Sequence, residues 1–349
     1  MLISIRTQQH IGSCAERLAG FIFIILCFAC EGPPRQDFVS SRTVTDSTFA
    51  MTPADPNEEY VMVTTATSLP IYASRDQVAF RAWGEYRGVK VSVVGPSDWN
   101  IPAQIKAIEE VIPSRPAGLL INGTDPGIAS AINKAVEAGI PTIVYDSEVE
   151  SKRHCFLGSD WYQMGYKQGE AVGRLAKGRK GKVAALGILN LSNQQSGFSG
   201  LKAALKKFPN LEYAGEFETH NTIEETARIT TDLINSYPDL VAVCGFTSET
   251  GPGIGLGLKE MNAAGKVYGT NVDASEVLLN LVHEGVLQYL VDQKRETFVW
   301  YGAEFVFAMA HNLNAFPPQY LSTGVHSLPY SVNTGLIEIT PETVNAYLR

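Results

Sequence analysis

The sequence predicts an α/β protein with two domains, each built on a doubly wound parallel sheet. Three observations predict this fold. Strand-like and helix-like segments alternate along most of the chain. Each strand-like run is apolar almost throughout, as expected where helices cover both faces of a sheet. The alternation occurs in two successive series, and repeated β-α units of this kind form parallel sheets.

The first series contains four predicted strands and three predicted helices. The strands are expected at 60–66, 89–95, 117–123 and 140–146. Apolar residues recurring at helical spacing predict helices at 74–87, 101–112 and 128–136.

The second series repeats the pattern with five predicted strands and four predicted helices. The strands are expected at 181–189, 211–219, 240–246, 266–272 and 286–293. The helices are expected at 197–207, around 229–234, at 252–263 and at 275–284.

The first 29 residues are predicted to be a secretion signal. Arg6 and Arg17 precede the apolar run LAGFIFIILCFAC at 18–30, which is too short to span a bilayer. A basic start, an apolar middle and a small residue before the cleavage point are typical of such signals. Residues 30–57, rich in Pro, Ser, Thr, Asp and Glu, are predicted to be a flexible tether. The folded body is therefore expected outside the cytoplasm.

Cys30 follows Ala29 at the predicted cleavage point and resembles the acylated cysteine of the bacterial lipoprotein lipobox. Cys27 stands where that motif usually has Leu. A membrane-anchored lipoprotein is therefore one expectation, and a signal peptide that is simply cleaved is the alternative.

The predicted body is acidic and poor in cysteine. The whole chain carries a formal charge of −8, which argues against nucleic acid or anionic lipid as a partner. Of the five cysteines, only Cys155 and Cys244 lie in the body, so neither a disulfide framework nor a metal site is predicted. GPGIGLG at 251–257 does not satisfy G-x-G-x-x-G, and no P-loop, H-E-x-x-H or G-x-S-x-G motif is present. No cofactor is expected.

Hydrogen-bonding and aromatic side chains stand where the predicted strands end. They are Asn122, Asp146, Ser159, Asp160, Asn271 and Gln293, together with Tyr72, Trp99 and Trp161. Ligands of parallel sheets bind at the carboxyl ends of strands, where carboxylates and amides pair with hydroxyls and rings cover apolar faces. Any single one of these residues could instead be a helix cap or turn residue. As a set they predict a cleft for a hydroxyl-rich ligand.

Four segments resemble the bacterial periplasmic sugar-binding proteins of the ribose/galactose type, the partners of ABC importers. They are AGLLINGTDPGIASAINKAVEAGIPTIVYDSE, FLGSDWYQMGYKQGEAV, SETGPGIGLGLKE and GTNVDASEVLLNLVHEGVLQYLVDQ. The resemblance covers about 59–342 and implies the type I fold of that family, with two lobes joined by a hinge of three crossing strands. It places 59–159 and 294–323 in the N-terminal lobe, 160–293 and 324–349 in the C-terminal lobe, and the last crossing within 326–340.

By this resemblance, Asn122, Asp146, Ser159, Asn271 and Gln293 fall on ligand-contact positions, and Tyr72 falls on the aromatic residue that stacks on the sugar. The chain departs from the family pattern at four points. Gln195 replaces an Arg, Asn271 replaces an Asp, Glu249 or Thr250 replaces an Asn, and His220 replaces an aromatic residue. Amides lack the charge-assisted strength of the groups they replace. The expected ligand is therefore a small neutral sugar or polyol.

The resemblance implies a periplasmic, monomeric solute-binding protein that closes on its ligand and delivers it to an ABC permease. A receptor that serves a chemotaxis or signalling sensor is the alternative. The sensing half of a LacI-like regulator is disfavoured by the export signal and by the absence of a helix-turn-helix before residue 59. A glycoside-cleaving enzyme using Asp146 and Asp160 is disfavoured because nothing in the sequence sets the separation of those carboxylates.

Overall fold

The computed structural model describes residues 53–311 and 328–348. The predicted signal segment 1–29, Cys30 and most of the predicted tether 30–57 lie outside these residues, as does the predicted lobe boundary between 323 and 324. In the described part of the chain, no helix is long and apolar enough to cross a membrane.

The first lobe is built on a six-stranded parallel sheet in the order β11-β5-β4-β3-β1-β2. Its strands are β1 (Glu59–Val63), β2 (Lys90–Val94), β3 (Gly118–Gly123), β4 (Thr142–Asp146), β5 (Cys155–Gly158) and β11 (Ser331–Asn333). Its helices are α1 (Gln77–Arg87), α2 (Ile101–Val111), α3 (Ala129–Glu137) and α9 (Arg295–Ala310). One turn of π-helix, Tyr72–Asp76, leads into α1.

The second lobe repeats this topology in the order β12-β10-β9-β8-β6-β7, with β12 antiparallel to β10. Its strands are β6 (Gly181–Gly187), β7 (Leu211–Glu218), β8 (Leu240–Gly245), β9 (Tyr268–Val272), β10 (Tyr289–Gln293) and β12 (Leu336–Ile339). Its helices are α4 (Trp161–Ala176), α5 (Ser192–Leu205), α6 (Ile223–Ser236), α7 (Thr250–Glu260) and α8 (Glu276–His283).

Both faces of each sheet are buried under helices, which explains the nearly continuous apolar strands. Along β1, Tyr60 and Met62 belong to one apolar cluster while Val61 and Val63 belong to the cluster on the opposite face. The strands of the second sheet alternate in the same way between two clusters. The predicted fold class, two doubly wound α/β lobes, is confirmed.

Within the described residues, the chain passes between the lobes three times: from β5 to α4, from β10 to α9, and from β11 to β12. The last passage lies between Asn333 and Leu336, because Ser331–Asn333 pairs with Phe156–Gly158 in the first sheet. The predicted boundary between 323 and 324 places these three residues in the second lobe, and that placement is wrong.

Two helices, α4 and α9, are absent from the sequence-based predictions, and α5 begins five residues earlier than predicted. Helix α9 carries large apolar residues on all sides, so it shows no helical periodicity. Helix α4 is rich in glycine, and a Cβ on Gly165 would lie 1.8 Å from the carbonyl oxygen of Gly197 in α5. Glycine therefore allows these two helices to approach closely.

Candidate functional site

The carboxyl ends of the strands of both lobes border one cleft. It encloses about 500 Å³, part of it open to solvent. Polar groups from both lobes line it, and Tyr72, Trp99, Trp161 and Phe246 supply aromatic surface. The residues at the strand ends predict this combination of hydrogen-bonding groups and aromatic rings, which suits a hydroxyl-rich ligand.

Asp146 and Asp273 occupy matching places in the two lobes. Asp146 ends β4 and Asp273 directly follows β9, and each strand has the same position in its own sheet. Both residues adopt left-handed backbone conformations, with φ of 79° and 66°. Such conformations are uncommon for residues other than glycine and are concentrated at functional sites.

Gln293 connects these two carboxylates. It ends β10, at the second crossing between the lobes, and is 1% exposed. Its Nε2 donates to Asp146 Oδ1 at 3.4 Å and to Asp273 Oδ1 at 3.2 Å. Its Oε1 is buried and has no hydrogen-bond partner. Gln293 therefore contacts a carboxylate of each lobe and keeps an acceptor available.

Arg295, the first residue of α9, lies buried in the same cleft. Its guanidinium donates to Asp76 through Nε (2.8 Å) and Nη2 (2.6 Å), and to both oxygens of Asp146 at 3.1 Å. It also lies 5.0 Å from the centre of the Tyr72 ring, within the range of a cation–π interaction. Arg295 thus positions both an acidic and an aromatic residue of the first lobe.

Burial and charge together determine the ionisation of the acidic groups. Burial raises the pKa of Asp76 to about 6, although the guanidinium of Arg295 opposes the shift. Burial also raises the pKa of Asp273, and the negative charge of Asp146 adds to the increase. For Arg295, burial favours the neutral form, but the Asp146 and Asp76 carboxylates hold its pKa well above the usual value. Arg295 therefore stays charged, and the Asp76 and Asp146 carboxylates compensate its charge.

Four of the twelve predicted contact residues line the cleft: Tyr72, Trp99, Asp146 and Gln293. Trp161, noted with the aromatic residues, lines it as well. The other eight predicted residues do not line it, for reasons that differ from residue to residue.

Asn122 and Asn271 lie beneath the cleft surface rather than in it. Asn122 donates to Asp146 Oδ2 at 3.0 Å and accepts from Thr65 Oγ1 at 2.7 Å. Asn271 accepts from Thr250 Oγ1 at 2.8 Å and donates to the Thr247 carbonyl oxygen at 2.9 Å. The placement of Asn122, Asn271 and Thr250 as ligand contacts is corrected accordingly: their polar atoms are committed to the protein. Asn122 acts instead by holding Asp146.

Three further predictions miss the cleft by one or two positions along the chain. Gln195 is exposed and donates to the Leu189 carbonyl oxygen at 2.7 Å, whereas Asn193 and Gln194 line the cleft. His220 is exposed at a left-handed position, and the next residue, Asn221, lines the cleft. Glu249 precedes α7, and Thr247 and Ser248 line the cleft in its place. Which turn residue faces inward depends on backbone angles that the sequence pattern did not specify.

Ser159 and Asp160 lie on the first crossing, outside the cleft. Asp160 is the N-cap of α4, since its Oδ1 accepts from the backbone nitrogen of Gln163 at 3.0 Å; the alternative reading of a helix cap is correct here. Ser159 is buried and lines a neighbouring pocket.

The expectation that an Arg and its carboxylate partner are both replaced by amides is wrong. Asp273 stands two residues after Asn271 and contributes a cleft carboxylate, and Arg295 contributes a guanidinium from a different part of the chain. Asp273 could have been found as the first acidic residue after the strand. Arg295 had no comparable signal, because it lies in a helix that was not predicted. In the described residues, no three His, Cys, Asp or Glu side chains are grouped as metal ligands.

Comparison with known proteins supports the same architecture. Residues 60–313 match the model of the family described as periplasmic binding protein domain. A sugar-binding protein of a sugar ABC transporter from Bacillus halodurans is 30% identical, with a TM-score of 0.77 over 83% of this chain and 100% of its own. An arabinose-binding protein from Geobacillus stearothermophilus is 28% identical, with a TM-score of 0.74 over 84% and 100%.

A more distant solved structure shares the fold. A solute-binding protein from Burkholderia graminis, solved with D-arabinose, has a TM-score of 0.76 at 20% identity and covers 85% of this chain and 100% of its own. No match was found among curated proteins.

Proposed function

Since this chain belongs to the periplasmic binding protein family, we propose that it binds a small neutral sugar or polyol between its lobes and delivers it to a membrane ABC permease. The ligand is released chemically unchanged. One observation carries the proposal: Asp146 of one lobe and Asp273 of the other meet at Gln293, which ends the strand from which the chain crosses between the lobes. A ligand bonded to these three residues contacts both lobes and the hinge at once.

The composition of the cleft supports a ligand that donates hydrogen bonds. The side chains of Gln293, Asn193 and Asn221 each hold a buried oxygen without a partner, and all three line the cleft. These oxygens and the Asp273 carboxylate are acceptors, and hydroxyl groups satisfy them. Aromatic rings beside them cover the C–H faces of a sugar ring.

The charges in the cleft disfavour anionic ligands. Arg295 is the one arginine or lysine among the described residues that line the cleft, and its guanidinium is already paired with Asp76 and Asp146. Asp273 forms no ion pair among the described residues, so its charge would repel a phosphate or carboxylate. A neutral ligand follows from this arrangement, rather than from the loss of charged groups expected from the sequence.

Ligand contacts on both lobes provide a mechanism for closure. A ligand that binds better when both lobes contact it shifts the equilibrium towards the closed form. Asn193 of the second lobe already donates to Ser147 of the first at 2.9 Å, at the edge of the cleft. Closure would present a single surface, formed by both lobes, to the permease.

We further propose that the protein works in the periplasm as a lipoprotein anchored through Cys30. The support is the basic and apolar layout before Cys30 and the polar composition of 31–57. Mass spectrometry of protein from membrane fractions should show an acylated N-terminal Cys30, and Cys30→Ser should move the protein to the soluble fraction. An unmodified N-terminus would contradict the anchor and favour simple cleavage.

The function is tested by thermal shift and calorimetry with pentoses, hexoses, polyols, sugar acids and sugar phosphates. A ligand at one hundred times its Kd should stabilise the protein by about 2.7 kcal/mol. Arabinose belongs in the panel because two of the similar structures are described with it. We expect a neutral sugar or polyol to bind and the anionic compounds to bind more weakly.

A matched pair of variants tests the position of the cleft. Asn221→Ala removes an acceptor that lines the cleft, whereas His220→Ala changes an exposed neighbour. Both positions have a left-handed backbone, so the structural disturbance is similar. Asn221→Ala should weaken sugar binding about tenfold and His220→Ala should not. Equal effects, or preferred binding of an anion, would contradict the proposal.

A further inference from the structure

A second pocket lies directly beside the cleft. It encloses about 470 Å³, part of it open to solvent, and it shares Trp161 and Asn193 with the cleft. Glu148 and Phe156 of the first lobe, Ser159 of the first crossing, and Ser192 and Ser196 at the start of α5 complete its lining. Because the two pockets share two lining residues, they lie side by side between the lobes.

The lining of the second pocket suits a neutral, hydroxylated group. Three serines and an asparagine provide hydrogen-bonding atoms, and Phe156 and Trp161 provide rings. None of the described residues that line it is a lysine or arginine. The one carboxylate, Glu148, accepts from Arg153 Nε at 2.8 Å, so its charge is paired. The pocket therefore offers no cation to an anionic ligand.

Unpartnered polar atoms are concentrated around these two pockets. Eight buried side-chain nitrogen or oxygen atoms in the described residues have no hydrogen-bond partner, and five belong to residues that line the cleft or the second pocket. Ser159 Oγ, Trp161 Nε1 and Asn193 Oδ1 are the three in the second pocket. Ser159 is only 6% exposed. Buried polar groups in native proteins normally have partners, and bound ligand or ordered water can provide them.

Asn193 stands at the border of the two pockets. Its Nδ2 donates to Ser147 Oγ at 2.9 Å, and Ser147 lines the main cleft. Its Oδ1 has no partner. Asn193 therefore holds the edge of the cleft through its Nδ2. Its Oδ1 remains available to a ligand group that lies between the cleft and the second pocket.

We propose that the second pocket is a subsite for a second hydroxylated ring, so that the preferred ligand is a neutral disaccharide or glycoside rather than a free monosaccharide. This inference rests on the proposed function. One sugar ring occupies the cleft near Asp146, Asp273 and Gln293. The second ring extends past Asn193 and Trp161 towards Ser159 and Ser196.

Calorimetry on the purified wild-type protein provides the first test. The probes are glucose, galactose, xylose and arabinose, and the disaccharides maltose, cellobiose, lactose, melibiose and xylobiose. We expect at least one disaccharide to bind about tenfold or more tightly than any monosaccharide. A disaccharide series that never exceeds the monosaccharides in affinity overturns the subsite.

The variant Ser196→Phe provides the second test. Ser196 lines the second pocket and not the cleft, so a phenyl ring there should weaken disaccharide binding about tenfold or more and leave monosaccharide binding unchanged. Ser199→Phe, on the exposed surface of the same helix, is the control. An equal loss for both sugar sizes overturns the subsite but leaves the proposed function in place. Failure of every neutral sugar to bind wild-type protein overturns both.

Discussion

Asp146 and Asp273 show how one residue type serves two purposes at matching positions. Arg295 and Asn122 hold both oxygens of Asp146, so this carboxylate is positioned and its charge is compensated. Asp273 accepts a hydrogen bond from Gln293 and, among the described residues, forms no ion pair. The two carboxylates differ because α9 places a guanidinium next to only one of them. Asp273 is therefore the cleft carboxylate that has no cation in direct contact among the described residues.

The affinity for sugar should decrease as the pH falls from 7 towards 4.5. Burial raises the pKa of Asp273, so this carboxyl binds a proton at a higher pH than an ordinary aspartate and loses the charge that strengthens its hydrogen bonds. At pH 7, Asp273→Asn should bind about ten- to a hundredfold more weakly than wild type. Its affinity should also change less with pH. Calorimetry at several pH values measures both effects.

Asp160→Asn is the matched control, because this carboxylate caps α4 outside the cleft and asparagine is an equally good cap. It should show the wild-type affinity and the wild-type pH profile. If Asp273→Asn kept the pH profile of the wild type, another group would control binding.

At the scale of elements, the site depends on how two helices begin. Helix α5 begins close to the cleft because it packs tightly against α4: a Cβ on Gly200 would lie 1.9 Å from the carbonyl oxygen of Tyr162. Its first turn includes Asn193 and Gln194, which line the cleft, and Gln194 Oε1 accepts from the backbone nitrogen of Ile188 at 2.7 Å. Close contact between helices therefore determines which amides of α5 line the cleft.

Helix α9 begins immediately after β10, and this connection joins the hinge to the cleft. Gln293 ends the strand and Arg295 starts the helix, so two consecutive elements supply the cleft's bridging amide and its guanidinium. The strand was predicted because its apolar run is short and bounded. The helix was not predicted, because it carries apolar residues on all sides and therefore has no periodic apolar face. Arg295 was missed for that reason.

At the scale of the molecule, three crossings connect the lobes, and Arg75 braces one of them. Its Nη1 donates to Asp292 at 2.8 Å, its Nε to Glu296 at 2.7 Å, and its Nη2 to the Gln293 carbonyl oxygen at 3.1 Å. Asp292 is 3% exposed. This cluster connects the first lobe, which carries Arg75, to the strand and helix on either side of the second crossing.

Arg75→Met should weaken both the fold and sugar binding. Without Arg75, the buried Asp292 carboxylate has no cation, which costs about 3 kcal/mol of unfolding free energy. Sugar binding should weaken because Gln293 loses its support, although Arg75 does not itself line the cleft. Urea unfolding and calorimetry measure the two effects.

Arg81→Met, on the exposed side of α1, is the control and should change neither property. An Arg75→Met protein with the urea midpoint and sugar affinity of the wild type would show that the cluster does not brace the crossing.

The sequence by itself determined the two α/β lobes, most of the strands and the edge of the sheets at which ligand binds. These features depend on local apolar patterns and on the direction of parallel strands, which a sequence displays. It also identified Tyr72, Trp99, Asp146 and Gln293 as candidates, because these residues stand at or near strand ends. Only the tertiary structure decided that Arg295 and Asp273 line the cleft, that Asn122 and Asn271 lie beneath it, and that a second pocket adjoins it. Those facts depend on the backbone angles of turns, on contacts between helices and on the position of one lobe against the other. Residues that are distant in the chain determine these features jointly, so no local sequence pattern displays them.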